Sequence, residues 1–333
     1  MATGGGVSVG SLVALAVAGY GVIRAEAGMA RRTIGQPKDV PPDPTGSYGR
    51  YLGPSLRLVM LGDSSATGLG CDSPAQTPGA LLAGGIARDL QRRVRLDVYA
   101  VVGGRSADLD TQVAKALQSH VDVAVIMVGA NDVTHKIRPG DAARDLGRAV
   151  HTLRAAGAVV AVGTCPDLGT VKPLLQPLKT VAAKWSRRMA AEQAVAVAEA
   201  GGLSVSLGSL LAEEFHLHPQ LWSADRFHPS AAGYRRVTDV LLPALEEALG
   251  VAVPTTSSVY DVDVAAGVAS REAGVEVETL EGDEGIAAAG PGRLVRLVRR
   301  LPLVGRGDPD ERDDDAGSDA DPDATGEEDE ATG

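Results

Sequence analysis

Between residues 56 and 249, short apolar runs and stretches of helical spacing alternate along the chain, and this alternation leaves very few folds open. The apolar runs are residues 56–61 (LRLVML), 94–100, 122–128 (DVAVIMV), 158–163 and 203–207. Helical spacing fills residues 78–91, 107–118 with Ser106 as the natural N-cap, 141–156 closed by Gly157, and 174–200 closed by Gly201 and Gly202. A last helix, capped by Ser230, runs to about residue 249. The run DVAVIMV is nearly all apolar, as a central parallel strand covered on both faces must be. Strands that alternate with helices predict a three-layer α/β/α sandwich around a five-stranded parallel sheet. In such sheets ligands bind beyond the carboxyl ends of the strands, so the residues that follow each strand are where chemistry is expected.

Composition narrows the class further. A length of 333 residues allows one or two domains with a sizeable core. Only ten residues are aromatic, so that core must be aliphatic. Two cysteines, Cys71 and Cys165, exclude a disulfide-dense scaffold and a four-cysteine metal site. The net charge of -11 belongs to the C-terminus: residues 307–333 hold 13 acids and one Arg, a balance of -12, which leaves +1 for everything before them. A nearly neutral body without a basic stripe argues against nucleic acid as a partner.

Four short blocks follow the strands. They are Gly62-Asp63-Ser64-Ser65, Gly103-Gly104-Arg105-Ser106, Gly129-Ala130-Asn131-Asp132 and Asp225-Arg226-Phe227-His228-Pro229. Each alone is an ordinary turn, but together they hold every part of an acyl-transfer site. Ester cleavage needs a nucleophile, a base to deprotonate it and donors for the oxyanion. Ser64, where the first strand turns into a helix, is the candidate nucleophile, and its own N–H is a candidate oxyanion donor. His228 is the candidate base, and Asp225, three residues earlier, can fix its tautomer. Gly104 offers an unobstructed backbone N–H and Asn131 a neutral side-chain donor. Asp63 and Asp132 are expected to tie loops, Asp63 to the loop of Asn131 and Asp132 to the following helix. His135 is read either as a pocket residue or as a surface one. His216 and His218 lack a third ligand, so neither a metal nor any other cofactor is expected.

In this order and spacing the four blocks resemble the SGNH or GDSL hydrolases, whose Ser, Gly, Asn and His correspond to Ser64, Gly104, Asn131 and His228. The resemblance spans about residues 56–249 and implies a flavodoxin-like sandwich and a serine hydrolase of carboxylic esters. It departs from the family name at Ser65, where Leu is usual, which puts a second hydroxyl beside Ser64. More narrowly, the chain is similar to actinobacterial members with an N-terminal hydrophobic segment, and its 26 Arg against 6 Lys fits a high-GC genome. The leading expectation is an esterase acting on small-molecule or lipid-derived esters. The alternatives are a carbohydrate O-deacetylase and a non-catalytic binding module of the cell envelope.

The ends of the chain read differently from its middle. Residues 7–23 carry no charge and stand at the lower limit for a membrane-spanning helix, so residues 1–27 are expected to be an anchor or signal segment, with membrane association at the envelope and the side left open. Residues 28–54 read as a linker or wrapped arm, 55–250 as the hydrolase domain and 251–290 as a second linker. In residues 291–306, Arg293, Arg296, Arg299 and Arg300 alternate with apolar residues and predict a basic amphipathic helix, suited either to a membrane surface or to the acidic tail. Residues 307–333 are too acidic and too poor in apolar side chains to fold. Cys71 and Cys165 both follow blocks on the same rim of the sheet, which leaves both a disulfide and free thiols open.

Overall fold

The computed structural model describes residues 40–251, scattered helical positions between 21 and 29, and the backbone of two short strands further on. Residues 1–20, most of the expected anchor, lie outside the described residues with the acidic tail, as does the whole of 300–333, the second of two units into which the chain divides. Among the described residues no helix is long and apolar enough to cross a membrane.

Six strands form one sheet: β1 (Gly46–Tyr48), β2 (Leu56–Gly62), β3 (Val94–Val98), β4 (Val123–Met127), β5 (Val159–Gly163) and β6 (Leu203–Val205). Their spatial order is β1-β3-β2-β4-β5-β6. The five strands from β2 to β6 are mutually parallel and match the five runs read from the sequence. Taken by themselves they follow the flavodoxin-like order, second-first-third-fourth-fifth. The order reverses between β2 and β4, which makes the crevice above those two strands the expected place for a ligand. The sixth strand is new: β1, within the segment read as a linker, pairs antiparallel with β3, Gly46 opposite Leu96.

Helices cover both faces. On one side α2 (Pro78–Asp89) and α8 (Ala231–Ala248) pack Leu82, Ile86, Val237 and Leu241 onto Leu58 and Met60 of β2. On the other side α3 (Leu109–Ala116) and α5 (Pro139–Ala155) bring Leu109, Leu146 and Leu153 against Val59 and Leu61, with Val197 of α6 (Leu178–Glu199). All five residues of β4 are buried, as its unbroken apolar run requires.

Several boundaries move. Ser106 opens a 3-10 turn, Ser106–Asp108, and α3 begins only at Leu109, so the expected side-chain cap by Ser106 is not made. Helix α6 begins at Leu178 because Pro173 and Pro177 break the helical spacing that precedes it. Helix α7 (Leu207–Leu217) had no counterpart in the sequence reading, although Leu207, Leu211 and Phe215 recur at intervals of four. Finally, the expected basic helix is corrected over β8 (Val295–Val298), which pairs antiparallel with β7 (Glu276–Thr279). Four residues of Val-Arg-Leu-Val fit a period of two as well as a helical one, and their β-branched ends favour the strand.

Candidate active site

The site begins where β2 stops. Gly62 sits at φ +125°, a conformation that side-chain-bearing residues rarely adopt, and a Cβ there would overlap the Met127 carbonyl of β4. The chain then turns sharply into α1 (Ser64–Thr67), whose N-cap is Asp63: its carboxylate accepts the Ser65 N–H at 2.8 Å. Asp63 therefore ties its own turn rather than the loop of Asn131, although its backbone N–H donates to Met127 O at 2.9 Å. Ser64 is the first residue of α1, where a helix has no internal acceptor for an N–H. Ser64 is buried, 6% exposed, and its Oγ lies 2.9 Å from His228 Nε2.

The histidine is held by a tight loop. Ser223 N–H donates to the His228 carbonyl at 2.8 Å, and Arg226 takes a left-handed conformation at the tip. Inside the loop one Asp225 oxygen accepts the backbone N–H groups of Phe227 and His228 and the Ser223 hydroxyl, at 2.8, 2.9 and 2.7 Å. Its other oxygen faces His228 Nδ1 at 2.6 Å. Nδ1 therefore carries the proton and Nε2 is left to accept from the Ser64 hydroxyl. Burial alone would raise the Asp225 pKa, but the bonds from the His228 ring, from two backbone N–H groups and from Ser223 together bring it well below the usual carboxylate range.

Gly104 and Asn131 meet beside this pair. Asn131 Nδ2 donates to Gly104 O at 3.0 Å, which uses one of its two amide hydrogens. Gly104 must be glycine, because a Cβ would stand 2.8 Å from Gly62 O and 2.9 Å from Val101 O. Its N–H donates to Val101 O at 2.9 Å, closing the turn that carries it. Asp132 does not cap the following helix as expected. It is almost wholly buried, and its carboxylate accepts from the Ser106 N–H and hydroxyl, the latter at 2.9 Å, which ties the Gly104 loop to α4 (Ala130–Thr134). Burial raises its pKa, and the bonds from Ser106 oppose the rise.

Two buried glutamines escaped the sequence reading. Gln112 of α3 bonds both backbone groups of Gly62, and Gln193 of α6 bonds Cys165 N–H and Val128 O, joining the ends of β4 and β5. Each interrupts the apolar face of its helix, and that is the signal the sequence did carry. His135 is exposed and bonded to the Asn131 carbonyl at 2.8 Å, a surface role rather than a pocket one. His216 and His218 are exposed, and among the described residues no three His, Cys, Asp or Glu gather as a metal site would need. Cys71 and Cys165 are both free thiols, so the disulfide is not formed. Cys71 Sγ faces Gln76 O at 3.3 Å, and Cys165 is packed beneath Gly129.

An apolar cavity of about 80 Å³ opens beside Ser64, Asn131 and His228. Its walls include Leu168 and Val171 from the loop after β5, Leu207, Leu211 and Phe215 from α7, and Trp222. Phe215 and Trp222 stand edge to face with ring centres 5.0 Å apart, and the Trp222 indole N–H donates to Phe215 O at 2.8 Å.

A serine-histidine-aspartate line beside an apolar cavity suits a hydrolase, and comparison with known proteins agrees. The family model described as GDSL-like Lipase/Acylhydrolase matches residues 60–236, more than half of the chain. The chain belongs to the GDSL-like lipase/acylhydrolase family. As a member, it is a carboxylic ester hydrolase. A relative, the GDSL-like esterase Rv1075c of Mycobacterium tuberculosis (strain ATCC 25618 / H37Rv), is 43% identical over 233 residues, covering 66% of this chain and 74% of its own. Among solved structures, TesA overlays with a TM-score of 0.48 at 23% identity, covering 57% of this chain and 98% of its own. A variant of Axe2, an acetylxylan esterase from Geobacillus stearothermophilus, gives 0.44 at 18%, covering 60% and 97%. The acylhydrolase fold is carried here by the strand order above, not by these overlays.

Proposed function

We propose that this acylhydrolase cleaves esters of apolar acyl groups through an acyl-enzyme, with Ser64, His228 and Asp225 as the catalytic triad. The observation that carries the reading is the line from the half-buried Asp225 through the buried His228 to the buried Ser64, at 2.6 and 2.9 Å. A pure binding module has no use for a serine aligned on a tautomer-fixed imidazole. In the first half-reaction Ser64 Oγ attacks the ester carbonyl carbon while its proton passes to His228 Nε2. The resulting imidazolium is stabilised by Asp225, which stays ionised, and it returns the proton to the departing alkoxide. Water then attacks the acyl-Ser64 ester with His228 again as base, releasing the acid and restoring Ser64.

The oxyanion falls to Ser64 N–H, the unused Asn131 amide hydrogen and Gly104 N–H. For Gly104 this means sharing the hydrogen that Val101 O accepts in the resting protein.

The apolar cavity supports the acyl side of the reading. Each methylene moved from water into it is worth about 0.8 kcal/mol, so kcat/KM should climb roughly fourfold per methylene until the cavity is full. Hydrolysis of a chain-length series of p-nitrophenyl esters, wild type beside Ser64→Ala, tests both parts. The expected result is a rise from acetyl towards longer chains, with the variant lower by about 10³-fold or more. Best activity on acetyl would favour carbohydrate O-deacetylation instead, and an unchanged Ser64→Ala rate would overturn the triad.

Membrane association at the envelope is part of the proposal and rests on the uncharged run at residues 7–23. The mycobacterial relative and the excess of Arg over Lys support an actinobacterial origin.

A further inference from the structure

We propose that Gln112 is a positioning residue for the nucleophile, standing in for the backbone of a strand that is not there. This rests on Ser64 being the nucleophile.

The sheet explains the need. β3 ends at Val98, opposite Met60, and the chain then leaves the sheet through the loop that carries Gly104. The last two residues of β2, Leu61 and Gly62, run past that end. On its other edge Gly62 is aligned with Met127 of β4. On the β3 side, residue pairing stops at Met60 and Val98; beyond it Val101 N–H still reaches Gly62 O at 3.1 Å, and it is the Gly62 N–H that turns to a side chain. Gln112 reaches up from α3 and fills the gap: its Oε1 accepts the Gly62 N–H at 2.7 Å and its Nε2 donates to Gly62 O at 2.9 Å. A primary amide presents one donor and one acceptor side by side, the same pair a neighbouring strand would supply. Gln112 is 3% exposed, and Gly62 stands two residues before Ser64. The Gly62 carbonyl also accepts Val101 N–H at 3.1 Å, and it is the atom against which a Cβ at Gly104 would collide. One side chain therefore holds the turn that aims Ser64 and fixes the carbonyl on which the Gly104 loop rests.

No other residue type meets these demands. Met is close in shape but leaves Gly62 N–H buried without its acceptor and Gly62 O with Val101 N–H as its remaining donor, and an ionised Glu sets a carboxylate oxygen against Gly62 O. Protonated Glu restores a donor and an acceptor. Positioning of the nucleophile should show in kcat and in the rate at which Ser64 is phosphonylated, not in KM.

The test compares full-length wild type, Gln112→Met, Gln112→Glu and Val113→Ala. Val113 is the buried neighbour on α3, outside the site, and its truncation lowers stability without touching Gly62. A fluorophosphonate should label Ser64 at least tenfold more slowly in Gln112→Met than in Val113→Ala, with KM for a p-nitrophenyl ester within about twofold of wild type. In Gln112→Glu the kcat ratio to wild type should recover as pH falls. Hydrogen exchange supplies a reading that needs no turnover: protection at residues 62–64 should drop at least tenfold in Gln112→Met and hold in Val113→Ala. Equal labelling and equal protection in the two variants would overturn the assignment. An unlabelled wild-type Ser64 would instead overturn the proposed function, and the exchange data would still decide the role of Gln112 at the turn.

Discussion

At the scale of single residues, the two aspartates nearest the serine respond to their surroundings in opposite ways. Burial raises the pKa of Asp63 to about 6, against the opposing hydrogen bond from Ser65. Asp225, with its set of donors, is pulled down instead. A carboxyl whose pKa is raised by folding adds stability below the unfolded value near 4, and that stability is lost as pH rises through about 6. Asp63→Asn keeps the oxygen that caps α1 but has no charge to bury. It should be more stable than wild type at pH 8 by about 1–3 kcal/mol, seen as a higher unfolding temperature, and the excess should shrink to nothing by about pH 4. Parallel melting curves across that range would refute the assignment. For Asp225 the sign reverses: its contribution is present above the unfolded pKa of about 4 and is lost as pH falls through its depressed folded value. In kinetics, Asp225→Asn should cost about 10²–10⁴-fold in kcat, because an amide no longer enforces the Nδ1–H tautomer. An activity within threefold of wild type would count against the triad.

The residues of the proposed triad were legible in the sequence because each reaction role admits few side-chain types and because strand ends are where an α/β sheet presents them. Ser64, Asp225 and His228 meet as the motifs suggested. What holds them was hidden. The bonds of Gln112, Gln193 and Asp132 cross 50, 28 and 26 positions of sequence, and no local pattern encodes a partner that distant. Asp132 was expected to cap its own helix, and its distant partner Ser106 was missed for the same reason; Asp63 was assigned to the loop of Asn131, whereas its carboxylate bonds Ser65, two positions on.

Among the longer helices, α7 is the one the sequence reading missed, and it lines the proposed acyl cavity. Its 11 residues follow β6 almost without a break, so the turn signals that mark other boundaries are absent. Leu207, Leu211 and Phe215 of α7 form one wall of the cavity. Filling that cavity from α7 should shorten the preferred acyl chain: Leu211→Trp is expected to lower kcat/KM for hexanoyl esters at least tenfold while changing acetyl ester hydrolysis less than threefold. Equal losses on both esters would place the acyl group elsewhere. On the opposite face α5 was easier to read, because its buried Leu146, Ala149, Val150 and Leu153 recur at helical spacing.

For the molecule as a whole, the parallel sheet was legible because five apolar runs and their intervening helices repeat one unit, while the added edge strand β1 was not. Three residues, Gly-Ser-Tyr, carry no periodicity, and only β3, nearly 50 positions away, gives them a partner. The sheet places Ser64 at the reversal of strand order, above β2 and β4, the edge where the proposed ester substrate would enter. The proposed membrane association concerns the whole chain. Full-length protein should float with phosphatidylglycerol-containing vesicles in a density gradient, and protein lacking residues 1–27 should stay at the bottom with its rate on soluble esters within twofold of full length. Equal flotation of both would assign membrane binding to another segment, the Arg293 to Arg300 region first. The claim on which the rest depends is that Ser64, and not Ser65 beside it, is the nucleophile. Peptide mass mapping of full-length protein after reaction with a fluorophosphonate tests it most directly. The account predicts one adduct per chain, on Ser64, abolished by Ser64→Ala and retained in Ser65→Ala; an adduct on Ser65, or one that survives Ser64→Ala, would contradict it.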